Sequence, residues 1–215
     1  MLRAEVAKGA ATRDAVLDEA VRIAGRIGLS GLTIGMLAAA TGMSKSGLFA
    51  HFGSKEALQL QVLARARDDF TDRVVRPAVR TRRGEPRVRA LFEHWLAVSR
   101  DPGAPCLFAS ASMEYDDQPG VVRDQVVQDH QDFTDSVQQI FRTGIAEGQF
   151  RADADPGQFQ HDLTGIMLAF FHAYRLLGEA EADARARVAF ERLLLANRAG
   201  PQEPDDPTTR TTLRE

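Results

Sequence analysis

Small polar residues and a lysine stand at the start of a short predicted helix in the stretch TGMSKSGLFAHFGSKEAL, residues 41–58. Ser44, Lys45 and Ser46 carry hydroxyl and ammonium hydrogen-bonding groups, and Gly47 adds no side chain. Such residues at the N-terminal end of a helix let it approach base edges in the major groove of DNA. There a lysine donates to guanine acceptors or to a phosphate. The chemistry predicted for this stretch is hydrogen bonding to DNA.

Residues that commonly bind metals or perform catalysis are scattered along the rest of the chain. His94, His130, His161 and His172 are candidate metal ligands, but no two of them have the three- or four-residue spacing that one helix needs to present both. The single cysteine, Cys106, cannot form an intrachain disulfide, and we expect it to be a small buried hydrophobe. The acidic run EYDD precedes a Pro-Gly break and reads as solvated loop. We therefore expect no metal site, no cofactor and no catalytic centre.

Two short helices joined by a tight turn must position the polar residues. Thr33 is predicted to cap the first, over IGMLAAATG, and Gly42 to supply the left-handed turn that other residues resist. Ala38 is small where the two helices have to cross closely. Leu37, Met43 and Leu48 are expected to face a core shared with a longer preceding helix, capped at Thr12. This arrangement is typical of a helix-turn-helix.

Residues 32–58, LTIGMLAAATGMSKSGLFAHFGSKEAL, closely resemble the DNA-binding domain of TetR (tetracycline-repressor) family transcription regulators, and the resemblance extends over about residues 12–60. It implies phosphate contacts by Thr33 and Lys55 at the two ends of the motif. The family usually has tyrosine where this chain has Phe49, so a hydroxyl contact to phosphate is lost. The implied DNA-binding residues are Thr33, Ser44, Lys45, Ser46, Gly47, Phe49, His51 and Lys55.

Apolar residues at helical spacing continue through the rest of the chain and predict an all-α fold of about nine helices. We expect a three-helix, helix-turn-helix DNA-binding domain over residues 1–55. A helical effector-binding and dimerisation domain is predicted over 56–198. Its connecting helix begins after the cap residue Ser54 and should end before Pro77. The Pro-rich polar segment 199–215 is predicted to be a disordered tail.

The helices after residue 85 carry more large apolar residues than one small core requires. Most of these must be core, but in the resembling family this region holds a small-molecule effector, so some are expected to line a cavity. Aromatic residues predominate, which predicts a small apolar or aromatic effector. The candidate effector residues are Phe92, Trp95, Phe108, Met113, Tyr115, Phe133, Phe171 and His172.

The last two predicted helices are apolar on more than one face, which indicates burial on two sides. We expect them to pair with the same helices of a second copy as a four-helix bundle, an isologous contact. The predicted interface residues are Ile166, Phe170, Val188 and Leu194.

Charge is unevenly distributed although the whole chain carries only −3. Residues 1–55 hold seven Lys/Arg and four Asp/Glu, a local charge of +3, which suggests a polyanion-facing segment on an acidic body.

No apolar run is long enough to span a bilayer, and the N-terminal residues lack a signal peptide's apolar core, so a cytoplasmic protein is expected. The predicted function is a homodimeric transcriptional repressor that binds palindromic operator DNA and is released by its effector. Two alternatives stay open: an activator or non-inducible regulator, and a helical small-molecule-binding protein or enzyme.

Overall fold

A computed structural model of the chain describes the backbone of residues 2–101 and 106–200, and the side chains of these residues from Arg13 onward. The helices are α1 Leu2–Ile27, α2 Ile34–Thr41, α3 Lys45–Phe52, α4 Lys55–Phe70, α5 Arg76–Arg80, α6 Glu85–Ser99, α7 Leu107–Glu114, α8 Val121–Ala146, α9 Pro156–Phe171 and α10 Ala182–Asn197. A π-helical turn, Thr71–Val75, joins α4 and α5 into one helix, and a second, His172–Leu176, extends α9. Within the described residues this makes nine separate helices, which confirms the predicted all-α fold.

Four side chains cap helices, and two of them, Thr33 and Ser54, do so where the sequence predicts. Thr33, Ser44, Ser54 and Asp155 each accept a backbone N–H of the first helical turn, at 3.2, 3.1, 3.0 and 2.7 Å respectively. Each bond satisfies a donor that the helix itself leaves unpaired, and its loss typically costs about 0.5–2 kcal/mol. The short helices α2 and α3 therefore have defined starts.

The first helix begins at Leu2 and not after a cap at Thr12, so that prediction was wrong. Residues 2–11 consist largely of alanine, leucine, arginine, glutamate and lysine and contain no proline. These residues favour helix strongly enough for it to form upstream of the polar residue.

Pro77 does not end the long connecting helix, contrary to the prediction. Proline has no N–H, and its ring collides with the carbonyl four residues earlier in a regular α-helix. The π-helical turn precedes it directly, and the Arg76 N–H donates to the Thr71 carbonyl five residues back. This wider turn displaces the carbonyl that would clash, so the helix continues to Arg80.

The apolar interior forms two clusters. The first joins α1–α3, which we call the head, to α4, α7 and the start of α8 through residues such as Leu48, Leu58, Leu107 and Val122. The second fills the body, α6 and α8–α10 with α5, where Phe92 stacks on Phe190 with ring centroids 4.0 Å apart. Helix α7 thus follows the body helix α6 in sequence but contributes to the core of the head.

Among the residues that the structure describes, no helix combines the length and apolar character that crossing a bilayer requires. The chain after α10 turns back onto the body, where the Ala199 N–H donates to the Gln149 carbonyl at 3.1 Å. Residues 201–215 of the predicted disordered tail lie outside the described residues.

Candidate nucleic-acid interface and body cavity

Helices α2 and α3 form the predicted helix-turn-helix. Gly42 ends α2 with φ of 69°, a left-handed conformation that favours glycine. Leu37, Ala38 and Leu48 are buried where the two helices meet α1 and α4. The buried contacts fix the crossing of the helices, so the opposite face of α3 is held outward.

The predicted DNA-binding residues lie at the starts of α2, α3 and α4 and along α3. Thr33, Ser44, Lys45, Ser46, Phe49, His51 and Lys55 are all exposed, and Gly47 is half-buried. Phe49 exposes 58% of its surface, which is unusual for a phenylalanine without a partner to cover it. Ser44 and Ser46 lie with their hydroxyl oxygens 3.2 Å apart at the start of α3. Apart from the half-buried Gly47, the predicted DNA-binding residues are therefore accessible to a partner.

The two lysines among these residues lie against protein groups. Lys45 folds back over the start of α2, since a Cβ on Gly35 would lie 3.6 Å from its Cε and 3.9 Å from its Nζ. Lys55 donates from Nζ to the Ser30 carbonyl at 2.6 Å. An ammonium group has three donors, so each lysine keeps the capacity to contact a phosphate as well.

A small cavity of about 70 Å³ lies in the body between α6, α7, α8 and α9. Three predicted effector residues line it: Trp95, Phe108 and Phe133. Its polar side was not predicted. Gln160 donates from Nε2 to the hydroxyl oxygens of Thr134 at 3.2 Å and Thr164 at 2.8 Å. The remaining lining residues are Ala109, His130, Met167 and Leu168.

The other predicted effector residues lie elsewhere. Phe92 is part of the body core beside Phe190, and Met113 is 56% exposed on the outer side of α7. Tyr115 is buried in the cluster that joins α7 to the head and borders a separate 280 Å³ groove between α7 and α8. Phe171 lies under the Arg175 guanidinium, and His172 is exposed beside the groove between α9 and α10. Their helices rotate these side chains away from the cavity.

Gln160 and Thr164 carried a usable sequence signal. They are four residues apart, so they share one face of α9 with the buried Met167, and a polar pair on such a face is unusual. Every side chain that lines the cavity is uncharged apart from the titratable His130. The cavity therefore combines an apolar aromatic wall with a small neutral hydrogen-bonding side.

His130 forms the partition between the cavity and the groove bordered by Tyr115. Its ring stacks on Phe108 with centroids 4.0 Å apart, and its Nε2 lies 3.0 Å from the Phe108 carbonyl oxygen. Burial lowers the pKa of His130 from its ordinary value of 6.5, against opposing effects of that carbonyl and of Asp129. The imidazole is therefore neutral at pH 7 and donates from Nε2 to the carbonyl.

His130→Gln is expected to make stability less dependent on pH below about pH 6.5. Because the folded-state pKa is lowered, the unfolded chain takes up a proton before the folded chain does as the pH falls. The stability contributed by neutral His130 is thus present above about pH 6.5 and lost progressively below it. Urea unfolding at about pH 7.5 and about pH 5.5 measures this. The wild type should lose more free energy of unfolding than the variant, and equal losses would contradict the assignment.

Helices α9 and α10 form an open groove of about 860 Å³ on the surface of the body. Its walls are mostly small or apolar and include Ile166, Ala169, Ala186 and Ala189. The predicted interface residue Ile166 lines this groove, and Val188 is 49% exposed on α10.

Two predicted interface residues point into the chain itself. Leu194 is fully buried, and Phe170 is 2% exposed and packs edge-to-face on Trp95 with centroids 5.4 Å apart. Phe170 forms only the floor of the groove. Leu194 cannot contact a second copy in this arrangement, because its side chain packs within the body core, whereas Val188 and Leu195 are the large apolar side chains that α10 exposes.

In the described part of the chain, no group of three or more His, Cys, Asp or Glu side chains is arranged to hold a metal ion. Cys106 is buried, and burial raises the pKa of its thiol. The reactive thiolate is therefore scarce at neutral pH.

Comparison with known proteins adds two family matches. Residues 16–62 match the family described as bacterial regulatory proteins, tetR family. Residues 84–190 match the tetracyclin repressor-like, C-terminal domain. No curated protein is significantly similar in sequence.

Solved structures share the fold over nearly their whole length. A TetR transcriptional regulator from Chloroflexus aurantiacus J-10-FL is 23% identical with a TM-score of 0.79, covering 90% of this chain and 99% of that one. A TetR-family regulator from Streptomyces coelicolor is 23% identical with a TM-score of 0.74, covering 86% and 95%. AibR, solved in complex with isovaleryl coenzyme A and operator DNA, is 22% identical with a TM-score of 0.67, covering 86% and 97%.

Proposed function

We propose that this chain, which belongs to the tetR family of bacterial regulatory proteins, represses transcription by binding a palindromic operator as a homodimer and leaves it when a small effector binds. The observation that carries the proposal is the exposed polar start of α3, Ser44–Gly47, held outward by a buried helix-turn-helix core. Family membership identifies the chain as a DNA-binding regulator, and we propose that it has no enzymatic activity. A regulator of bacterial DNA acts in the cytoplasm, which is the location we propose.

Within the DNA interface we assign direct base contacts to Ser44, Ser46 and Gly47. Lys45 lies beside the start of α2, whose first backbone N–H groups favour an anion. Lys45 and Thr33 are therefore placed to bind one phosphate together, and Lys55 to bind another at the far end of the motif. Phosphate contacts fix the register of the protein on DNA, whereas base contacts carry the sequence information.

Lys45→Ala is expected to weaken operator binding by about 1–3 kcal/mol and to lower the dependence of log Kd on log salt by about one. A variant that makes one phosphate contact fewer releases one counterion fewer when it binds DNA. The slope of log Kd against log salt should therefore change together with the affinity. Titration by fluorescence anisotropy over a range of salt concentrations, on operator selected from random duplexes, measures both. Arg142→Ala removes a cation from the exposed face of α8 and serves as the control. Unchanged affinity and slope in Lys45→Ala would contradict the placement of α3.

The effector proposal rests on the chemistry of the body cavity. Among the fold relatives, AibR is described with isovaleryl coenzyme A and operator DNA, which is an example of a small molecule and DNA on one protein of this fold. In this chain the cavity is walled by Trp95, Phe108 and Phe133 and holds no charged side chain at neutral pH. An ion would be desolvated there without a counter-charge, at high cost. We therefore propose an uncharged apolar or aromatic effector with a group that hydrogen bonds to Gln160, Thr134 or Thr164.

We propose residues 1–55 as the DNA-binding domain and 56–198 as the effector-binding and dimerisation domain. The family matches over residues 16–62 and 84–190 support two regions with separate functions but do not fix the boundary at residue 55. The groove between α9 and α10 is the proposed dimer seam, because a second copy of the two helices would cover its apolar walls.

A further inference from the structure

Helix α7 ends in a carboxylate that holds the loop between α1 and α2. Glu114 accepts the Leu29 N–H at 2.7 Å with Oε2 and the Ser30 N–H at 2.8 Å with Oε1, and it also accepts the Ser30 hydroxyl. Hydrogen bonds to an ionised acceptor are about twice as strong as neutral ones. We call this set of three bonds the Glu114 contact. It links the helix that follows the body helix α6 to the backbone that leads into the helix-turn-helix.

The same loop is held on its carbonyl side. Gln59 of α4 donates from Nε2 to the Leu29 carbonyl at 2.9 Å and to the Tyr115 hydroxyl at 3.0 Å. Gln59 and Tyr115 are both buried, and burial, with a smaller effect of Glu114, raises the pKa of Tyr115 to about 12. Tyr115 is therefore a neutral phenol under all physiological conditions. The end of α7 thus binds the Leu29 N–H directly through Glu114, and Tyr115 contacts the Leu29 carbonyl indirectly through Gln59.

Gly28 shows how closely the loop and the carboxylate approach. Its φ of 85° favours glycine, and a Cβ at this position would lie 2.6 Å from Oε1 of Glu114. Such a distance is shorter than any real contact of this type. The Glu114 carboxylate can therefore approach the loop this closely because residue 28 is a glycine.

The opposite end of α7 borders the effector cavity. Phe108 and Ala109 line the 70 Å³ cavity, and His130 binds the Phe108 carbonyl. Phe108 also borders a second cavity of about 380 Å³ between α1, α4 and α7. Glu114 lies six positions after Phe108, so one short helix of about 9 Å joins the cavity wall to the Glu114 contact.

A ligand of ordinary size needs more space than this cavity has. Sites for small organic molecules usually measure about 300–1,000 Å³, several times its 70 Å³. Phe108 is the wall shared with the larger cavity, so its side chain and the start of α7 have space to move. Packed interiors respond to added volume by shifting elements as units.

We propose that Glu114 is a positioning residue for operator binding. It fixes the head relative to the body while the cavity keeps its present volume, and it transmits a displacement of α7 to the loop that orients the helix-turn-helix. The inference rests on the proposed function for its consequence at DNA. The coupling between α7 and the loop of the head can be measured without ligand or DNA, so this coupling and the proposed function can fail separately.

The first experiment fills the cavity from α7 without a ligand. Ala109→Leu adds volume at the cavity wall and should displace α7. The amides of Leu29 and Ser30 are then expected to exchange with deuterium roughly fivefold faster or more, a response within the usual range of coupling between sites. Ala154→Leu makes the same change in the body core away from α7 and is the control. Exchange at Leu29 and Ser30 that stays at the wild-type rate in Ala109→Leu, or that rises equally in Ala154→Leu, would overturn the proposal.

The second experiment is a double-mutant cycle on operator affinity. Glu114→Gln keeps the size of the side chain but can accept only at one oxygen, so it breaks the paired acceptance of Leu29 and Ser30. Ala109→Leu alone should weaken operator binding roughly 5–150-fold. In the Glu114→Gln background it should add less than about twofold, because the route to the head is already interrupted. Asp117→Asn, which removes a negative charge three residues further along, should leave the effect of Ala109→Leu intact.

Circular dichroism and thermal unfolding of each variant establish that it is folded before either measurement. Independent, additive effects of Ala109→Leu and Glu114→Gln would show that the Glu114 contact has only a structural role. Failure to select any operator would refute the proposed function and leave the exchange result standing.

Discussion

Ala169→Glu is expected to produce a folded monomer that binds operator DNA too weakly to detect. Ala169 is exposed on the isolated chain and lines the groove between α9 and α10, so the substitution should leave the fold of one chain intact. In a dimer that buries this groove, the added carboxylate would lose its water on a face of α9 and its π-helical extension that it shares with Gly165, Ile166 and Ala173. Burying a charge at an interface is costly unless a well-placed partner of opposite charge compensates it.

Loss of the dimer should remove operator binding because one recognition helix reads too few base pairs. Two half-sites one turn of DNA apart, about 34 Å, supply both the contacts and the specificity of helix-turn-helix dimers. Sedimentation at micromolar concentration gives the oligomeric state, and a gel-shift titration on selected operator gives the affinity. A wild-type chain that sediments as a monomer would contradict the proposed seam. So would an Ala169→Glu variant that remains dimeric.

Leu194→Ala is the matched control for this experiment. Leu194 is fully buried within one chain on the helix that borders the groove. Its truncation should lower the free energy of unfolding by about 2–5 kcal/mol through lost burial and a cavity. The folded fraction should still dimerise, which separates a weakened chain from a weakened interface.

The head could be predicted from sequence because local rules determine it. Thr33, Ser44 and Ser54 each cap a helix within three residues of their own position, and Gly42 adopts the left-handed conformation that the turn requires. These preferences depend on the backbone nearby and not on distant packing. The exposed position of the DNA-binding residues follows once Leu37 and Leu48 are assigned to the core.

The body could be predicted only as a set of helices. An apolar helix packed on several neighbours has more than one apolar face, and periodicity does not say which face lines a cavity. Phe108 and Phe92 therefore read alike in sequence, yet Phe108 borders the cavity and Phe92 stacks on Phe190. In α10, Val188 and Leu194 were both assigned to the dimer seam, whereas packing within the chain buries Leu194 and leaves Val188 49% exposed.

Contacts between segments far apart in the chain could also not be predicted from the sequence. Glu114 reads as part of a solvated acidic run, because nothing near it in sequence requires a buried carboxylate. Its partners, Leu29 and Ser30, lie 85 and 84 residues away. They offer backbone N–H groups, which every residue but proline carries and which therefore leave no trace in the sequence.

An uncharged aromatic molecule that binds the body cavity is expected to weaken operator binding roughly 5–150-fold. Binding must enlarge a 70 Å³ space, and the helices that surround it include α7, whose far end holds the head. The dimer reads DNA only while its two recognition helices stay about one helical turn apart. A ligand can shift that geometry only if it binds the protein with α7 displaced more tightly than the protein with α7 in its present position.

Trp95 provides a direct measurement of this binding. It is the only tryptophan in the chain, is 3% exposed, and lines the cavity. A ligand in contact with it should change its fluorescence, and matched neutral and ionised pairs such as 2-naphthol and 2-naphthoate test the requirement for an uncharged ligand. The neutral member should bind and the carboxylate should not, because the cavity offers no counter-charge.

Operator DNA should weaken binding of the same ligand by the same factor, since coupling between two binding equilibria is reciprocal. Titrating ligand against the free protein and against its operator complex, with Trp95 fluorescence as the readout, measures one side of this equality. Anisotropy of labelled operator at zero and saturating ligand measures the other. Unequal factors would mean that the two experiments do not report on one equilibrium. If neutral aromatic ligands changed Trp95 fluorescence without releasing operator, the cavity would bind ligands but would not control the head, and the inducible-repressor proposal would have to be abandoned.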